Sequence, residues 1–156
     1  MRRKDREITA RNELIDILKK ADVCRIAIND SPAPYIVPLN FGYRWDDNLV
    51  LFFHCAPGGR KLELLAVNDS VCFEIDTDHE LVKGEKPCDW GMKYKSIIGS
   101  GKITEVIDKN EKIAALDAIM NHFGLTDAKK EYDESVFSKT KILRLVVSEI
   151  SGKQRK

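Results

Sequence analysis

The segment between residues 54 and 61 combines the residue types that hold a negatively charged group. It reads HCAPGGRK, and we call it the glycine loop. A helix is predicted to start at Gly59 or Arg60 and to run to about Val67. The free N–H groups of a helix's first turn, together with the helix dipole, favour an anion there. The guanidinium of Arg60 matches phosphate oxygens, and Lys61 adds a mobile charge. The sequence therefore predicts a phosphate-binding loop.

Apolar and alternating segments predict the strands that must position this loop. Strands are expected at Val23–Asn29, Tyr35–Trp45, Leu49–His54, Ser70–Asp76, Trp90–Ile107 and Lys141–Ile150. The apolar run before the glycine loop is expected to be a central strand. About six or seven strands, joined mostly by hairpins with proline and glycine corners, favour a mainly β fold: a small antiparallel barrel with flanking helices. No G-x-G-x-x-G motif follows the first strand, which excludes a Rossmann fold. Residues 1–156 are expected to form a single domain.

Proline and glycine interrupt two of the predicted strands. Pro38 removes a ladder hydrogen-bond donor, so regular pairing is expected to fail there. The interruption fits either a protected edge strand or a bent strand that leaves backbone groups free for a flat ligand. Gly99 and Gly101 suit a bulge, a barrel corner or the close approach of a ligand.

Helical spacing of apolar residues predicts two further helices, and polar segments predict two loops. Thr9 is expected to cap a helix over Ala10–Lys20, and Asp108 a helix over Lys109–Phe123 in a capping box with Glu111. The buried stripe expected on the second helix is Ile113, Leu116, Met120 and Phe123. The expected polar loops are Asp78–Asp89 and Leu125–Thr140.

The composition limits the kinds of partner that the chain is expected to bind and the compartment in which it is expected to lie. The chain has 26 basic and 25 acidic residues and a net charge of +1, with no basic segment of the kind that binds nucleic acid. No apolar run approaches the roughly 20 residues that span a bilayer. The N-terminal arginines precede no apolar signal-peptide segment, so a cytoplasmic location and no membrane partner are expected. The basic segment Gly152–Lys156 is expected to be a solvated tail.

The four cysteines show no C-x-x-C spacing and are expected to be reduced thiols. A zinc site would have to combine His54, Cys55, Cys72, His79 and Cys88. That set lacks closely paired ligands, so no metal is predicted.

An ordered set of motifs resembles a known family. The motifs are ADVCRIA from residue 21, PYIVPLNF from residue 34, FHCA from residue 53, GRK from residue 59 and YKSIIGSG from residue 94. Together they resemble the pyridoxamine 5′-phosphate oxidase-related flavoproteins of the nitroimidazole-resistance (Nim) type. The resemblance covers nearly the whole chain.

The resemblance implies an FMN-binding split β-barrel that forms a homodimer with FMN at the subunit interface. Arg60 and Lys61 would bind the phosphate, with Gly59 in place of the serine of the oxidase's Ser-Arg-Lys signature. His54 would lie near the ribityl chain and phosphate, and Trp90 would cover the ring. The remaining implied flavin contacts are Val37, Pro38, Leu39 and Asn40, and, from this chain or its partner, Ser96, Ile97, Ile98 and Gly99.

The activity implied is reduction of a small acceptor such as a nitroaromatic, with NAD(P)H or another electron donor. His54 and Tyr94 are candidate proton donors, and His54 also fits a neutral hydrogen-bonding role. The chain lacks the arginine- and histidine-bearing C-terminal segment of vitamin B6 oxidases, so oxidation of pyridoxamine phosphate is not expected. Two alternatives stay open: a flavin- or haem-binding module without turnover, with His54 or His79 as axial ligand, and a cofactor-free dimeric scaffold.

Overall fold

The computed structural model describes residues 3–126 and 130–156, and within these ranges one antiparallel sheet dominates the fold. Its eight strands are β1 Glu7–Ile8, β2 Cys24–Ile28, β3 Tyr35–Leu39, β4 Gly42–Trp45, β5 Leu49–Cys55, β6 Ser70–Val82, β7 Gly91–Val106 and β8 Lys141–Arg155. Their order is β3-β2-β6-β7-β8-β5-β4, and β1 pairs with β8. No described pairing joins β3 to β4, so the barrel is split. The predicted antiparallel barrel is confirmed, with eight strands instead of six or seven.

The barrel interior is filled by alternate residues of the strands. On β5, Leu51 and Phe53 point inward and are fully buried, and Phe73 of β6 meets them in the same core. Each fully buried aromatic or aliphatic side chain of this kind stabilises the fold by about 1.5–3 kcal/mol. This core therefore fixes the register of the strands that lead into the glycine loop.

Four helices accompany the sheet in the described residues: α1 Arg11–Lys20, α2 Arg60–Val67, α3 Lys109–His122 and α4 Glu134–Phe137. Helices α1 and α2 pack on the barrel core, whereas α3 covers a second cluster around Phe52 of β5. Short 3-10 turns lie at Lys4–Arg6 and Pro87–Asp89. None of the described helices is both long and apolar enough to span a membrane.

Two helix details differ from the expectations. Helix α1 is capped by the extended backbone of Ala10, whose carbonyl accepts the first helical hydrogen bonds, and not by Thr9. The buried face of α3 centres on Ala115 and Ile119, and Phe123 at its end is 45% exposed. The Asp108 cap is confirmed by its hydrogen bonds from the N–H groups of Asn110 and Glu111. Residues 127–129 of the expected loop Leu125–Thr140 lie outside the described residues.

The predicted strand Tyr35–Trp45 is two strands, because the chain breaks at Asn40 and Phe41 to bury the Phe41 ring completely. Pro38 does not cause this break. It lies opposite Arg25 in β3, which pairs only with β2 among the described strands and is therefore an edge. Strand β5, which was expected to be central, is an interior strand that pairs with β8 on one side and with the edge strand β4 on the other.

Strands β6 and β8 are longer than the sequence indicated. The long β7 supplies pairing partners for both, so β6 continues to Val82 and β8 to Arg155. The expected loop from Asp78 therefore begins as a strand, with a register shift between Thr77 and Glu80. The basic segment after Gly152 is likewise part of the sheet and not a solvated tail. Of the alternatives for Gly99 and Gly101, the structure favours a bulge, since the register shifts between Ser100 and Gly101.

Candidate functional site

The glycine loop joins β5 to α2 through a backbone conformation that favours glycine. Gly59 is the N-cap of α2 and has φ 113° and ψ 166°, a region that is essentially restricted to glycine. No side chain caps the helix: the Leu62 N–H donates to the Gly59 carbonyl at 2.9 Å, whereas the N–H groups of Arg60 and Lys61 have no partner among the described hydrogen bonds. The loop therefore presents backbone donors at the positive end of the α2 dipole.

Arg60 is held in place by the turn between β2 and β3. Its Nη2 donates to Oδ2 of Asp30 at 2.5 Å, and its guanidinium lies 5.0 Å from the centroid of the Tyr35 ring. The Asp30 side chain is only 15% exposed, whereas that of Arg60 is 62% exposed. The hydrogen bond from Arg60, followed by one from the Ser31 N–H, holds the pKa of Asp30 below its usual value. The guanidinium is thus oriented, with donors still facing solvent.

Lys61 stands beside the end of β5. Burial raises the pKa of the Cys55 thiol, and the nearby ammonium of Lys61 partly opposes that effect. Among the described ion pairs Lys61 has no carboxylate partner. Its positive charge is therefore not neutralised by a neighbour.

His54 lies on a different face from these cations. Its neighbours Phe53 and Cys55 point into the barrel, so the alternation of the strand directs His54 to the outer face. The residue is exposed, and no described hydrogen bond or ion pair joins it to Arg60 or Lys61. The structure therefore does not bring His54 into the cationic cluster within one chain.

The segment expected beside the flavin ring, Val37 to Asn40, ends the edge strand β3. Tyr35 at the start of β3 touches Arg60, so this edge adjoins the glycine loop. Val37 and Leu39 pack against the core, which leaves Pro38 on the outer face. Asn40 donates from Nδ2 to the Asp22 carbonyl at 2.9 Å. The outer backbone edge of β3 is open to a ligand.

The segment Ser96 to Gly99 does not adjoin β3 in the same chain. It belongs to β7, and β6 and β2 separate it from β3. Three strand spacings correspond to roughly 14 Å. Ile97 and Gly99 are buried, whereas Ile98 is 57% exposed on the outer face.

Trp90 and Tyr94 lie further along, towards the hairpin between β6 and β7. Trp90 donates from Nε1 to the Gly84 carbonyl at 2.8 Å and is 47% exposed. The ring of Tyr94 has the Lys153 ammonium 5.8 Å from its centroid. The predicted site residues thus fall into two groups in one chain, one at the glycine loop and one along β7.

The outer face between these two groups carries a cleft of about 810 Å³ that the sequence did not reveal. It includes Cys72 of β6, Ser100 of β7 and Val146 of β8. Asp30 and Tyr35 were also missed as site residues. Their contacts with Arg60 span about 25–30 positions of sequence, so only the β2–β3 register brings them to the loop. One local indication of this contact is present in the sequence: Asp30 is an acidic residue directly after a predicted strand.

The histidines and cysteines form no metal cluster in the part of the chain that the structure describes. Cys24 and Cys55 are buried, and burial raises the pKa of both thiols. His79 pairs with Asp76 at 2.9 Å. His122 is half-buried, with its Nε2 2.8 Å from the Ala21 carbonyl.

Comparison with known proteins adds evolutionary context to this geometry. Residues 10–154 match the family model described as pyridoxamine 5′-phosphate oxidase. A solved structure of a proposed 5-nitroimidazole antibiotic resistance protein from Bacteroides thetaiotaomicron is 33% identical, with a TM-score of 0.81, and the match covers 95% of this chain and 86% of that chain. A search of curated protein sequences gave no significant match.

Two more distant structures share the fold. A FAD and heme binding protein from Mycobacterium smegmatis is 21% identical with a TM-score of 0.82, over 97% of this chain and 74% of that chain. A FAD-binding protein from Mesorhizobium loti is 22% identical with a TM-score of 0.67, over 97% of this chain and 98% of that chain. At these identities the likeness concerns the split-barrel architecture.

Proposed function

The chain belongs to the pyridoxamine 5′-phosphate oxidase family, and from that premise we propose that it is a flavoprotein whose glycine loop binds the phosphate of FMN. The observation that carries this proposal is the Arg60 guanidinium, which Asp30 and Tyr35 orient at the N-terminus of α2. Charge-assisted hydrogen bonds from an arginine fork and from helix N–H groups are the contacts that a phosphate dianion requires.

The residues present fit such a group. Arg60 has exposed donors, Lys61 has no described acidic partner, and the N–H groups of these two residues have no partner among the described hydrogen bonds. The open edge of β3 offers backbone groups to a flat ring. When bound, a flavin supplies one- and two-electron redox chemistry, while the protein supplies binding and orientation. In this proposal Arg60 and Lys61 anchor the phosphate, and β3 positions the ring and limits its contact with water.

A second copy of the chain is the proposed partner. The outer face of β2, β6 and β7 is covered by no described helix, because α1 and α2 pack on the barrel core and α3 packs over β5. This face exposes Ile98 of β7 at 57%, and Ile36 of the neighbouring strand β3 is exposed at 61%. A twofold contact here would place the β7 segment of one copy beside the glycine loop of the other. It would thereby unite the two groups of predicted site residues.

The proposed reaction is reduction of a small acceptor of the nitroaromatic type, with NAD(P)H or another electron donor. The 5-nitroimidazole resistance role proposed for the Bacteroides relative supports this substrate class. Tyr94 is the proton-donor candidate on β7, and its phenolic hydroxyl can donate a hydrogen bond to the substrate. His54 stays a candidate only if the partner's flavin reaches the outer face.

The test is cofactor binding by the purified chain. We expect a flavin absorption spectrum, binding of FMN that is tighter than binding of riboflavin, and heat stabilisation by FMN. A ligand at 100 times its dissociation constant stabilises by about 2.7 kcal/mol. A Soret band instead of flavin absorption would favour the haem-binding alternative, with His54 or His79 as the axial ligand; both are exposed. A colourless chain that no flavin stabilises would contradict the proposal.

A further inference from the structure

A second cationic site lies at the opposite end of β6 from the glycine loop. The register shift in β6, the start of β7, the end of β8 and the C-terminus of α1 enclose a cavity of about 390 Å³, which we call the basic cavity. Its cationic lining residues are Lys20, Lys93, Lys95, Arg155 and Lys156. Its carboxylate side chains are Asp78 and Glu80, so the lining side chains carry three more positive than negative charges.

The two carboxylates are already engaged. Asp78 accepts from the Lys20 ammonium at 2.9 Å and lies 3.7 Å from that of Lys95. Glu80 pairs with Lys93 at 3.2 Å. Lys20 thereby holds the pKa of Asp78 below its usual value. Neither Arg155 nor Lys156 has a carboxylate partner among the described ion pairs, so the surplus charge is concentrated at the end of β8.

Arg155 is seated in a space that only glycine leaves open. A Cβ at residue 91 would lie 2.4 Å from Nη2 of Arg155 and 2.6 Å from its Cζ. The guanidinium therefore rests against the Gly91 backbone, at the point where β7 begins. This guanidinium has no carboxylate partner among the described ion pairs, and it lines the same cavity as the lysines of β7.

This cavity is separate from the glycine loop within one chain. Val71, near the start of β6, pairs with Ile28, which precedes Asp30 by two residues. The basic cavity lies near Asp78, seven residues further along β6. At about 3.4 Å per residue the separation is on the order of 25 Å. The loop and the cavity are therefore distinct sites on one chain.

We propose that the basic cavity binds a phosphate-bearing ligand of at least two negative charges. An arginine fork together with flexible ammonium groups is suited to phosphate oxygens. Surplus charge of this size favours a multiply charged anion over a single carboxylate. The volume falls within the roughly 300–1,000 Å³ of small-molecule sites. Tyr94 adds an aromatic wall. The inference does not depend on flavin binding at the glycine loop.

The test uses inorganic pyrophosphate and the full chain, with Arg60→Ala and Lys61→Ala present in every sample so that the glycine loop cannot contribute. Calorimetry should detect binding, and Lys95→Gln with Arg155→Gln should weaken it at least tenfold. Arg44→Gln with Lys109→Gln removes the same two charge types elsewhere and should leave the dissociation constant unchanged. Equal weakening by both pairs, or no binding before substitution, would overturn the proposal.

Gly91→Ala tests the position of the guanidinium without altering charge. The added methyl group must displace the flexible end of Arg155, so we expect several-fold weaker pyrophosphate binding and an unchanged far-ultraviolet dichroism spectrum. Undiminished affinity would contradict the proposed role of Arg155. If the variant with both Lys95→Gln and Arg155→Gln fails to fold, Lys156→Gln replaces it, since Lys156 is exposed. Weaker pyrophosphate binding by Lys156→Gln would support the site, and unchanged binding would contradict it.

Competition identifies the source of the phosphate. Displacement of pyrophosphate by NADPH at lower concentration than by NADH would assign the cavity to the 2′-phosphate of the dinucleotide. Equal displacement would assign it to the dinucleotide pyrophosphate. Displacement by neither, with pyrophosphate still bound, would assign it to a smaller phosphate ester.

Discussion

The glycine loop and the basic cavity are two cationic regions that the same barrel builds in different ways. At the loop, Gly59 at φ 113° begins a helix, and one half-buried carboxylate, that of Asp30, orients one arginine. At the cavity, Asp78 at φ 57° lies in a strand irregularity and engages two lysines. The first conformation is restricted to glycine, whereas Asp and Asn tolerate the second. The loop therefore depends on a backbone conformation, whereas the cavity depends on the arrangement of charged side chains.

The largest effect that we expect comes from breaking the contact that would bring one copy's β7 to the other copy's glycine loop. Ile98→Glu puts a carboxylate into the exposed face of the sheet, and the twofold symmetry would place two of them in one interface. The dissociation constant of the dimer should rise by roughly 100-fold or more, as sedimentation velocity would measure. Ile107→Glu is the control, since Ile107 is 77% exposed beyond the end of β7. A monomeric parent chain, or equal dissociation of both variants, would refute the interface.

A smaller effect should show that the glycine loop depends on backbone conformation, whereas the basic cavity depends on side chains. Gly59→Ala should lower the free energy of unfolding by about 1–3 kcal/mol because its φ is unfavourable for any side chain. Gly58→Ala has the same open surroundings without a positive φ and should be nearly neutral. Denaturant unfolding of both variants measures the difference. Pyrophosphate binding at the basic cavity should be unchanged in both, because the strain is local to the loop.

The smallest effect concerns the two orienting carboxylates. Cationic partners lower the pKa of both Asp30 and Asp78 from the reference value of 3.8. A depressed pKa in the folded state stabilises the fold above the unfolded-state pKa, and this contribution is lost as the pH falls through the folded-state value. Asp30→Asn and Asp78→Asn should therefore be less stable than the parent at neutral pH, and the gap should close in acid. A gap that widens in acid would contradict these assignments.

The sequence predicted the parts of the fold that depend on local patterns. The apolar run LVLFFH gave β5, and the contiguous residues GGRK gave the start of α2 and its cations. The Asp108 cap and the β7 bulge likewise follow from residues within a few positions of one another. Local hydrogen bonding and glycine conformations decide such features without tertiary context.

The missed features depend on register. The ends of β6 and β8 are polar, so the sequence predicts a loop after Asp78 and a solvated tail after Gly152. The long β7 pairs with both strands and provides hydrogen-bond partners for their backbone groups. The contact of Arg60 with Asp30, and the meeting of Lys20, Lys95 and Arg155 in one cavity, join residues far apart in sequence. Side-chain patterns cannot reveal such neighbours until the strand order is known.

The most direct measurement of the central claim compares FMN with riboflavin in the variant Arg60→Ala with Lys61→Ala. Each lost charge-assisted hydrogen bond is worth about 1.5–3 kcal/mol, so FMN affinity should fall by roughly 100-fold or more, while riboflavin affinity should hardly change. Arg44→Ala with Lys109→Ala should leave both affinities at the parent values. An equal loss for FMN and riboflavin, or no loss for either, would show that the glycine loop does not hold the flavin phosphate.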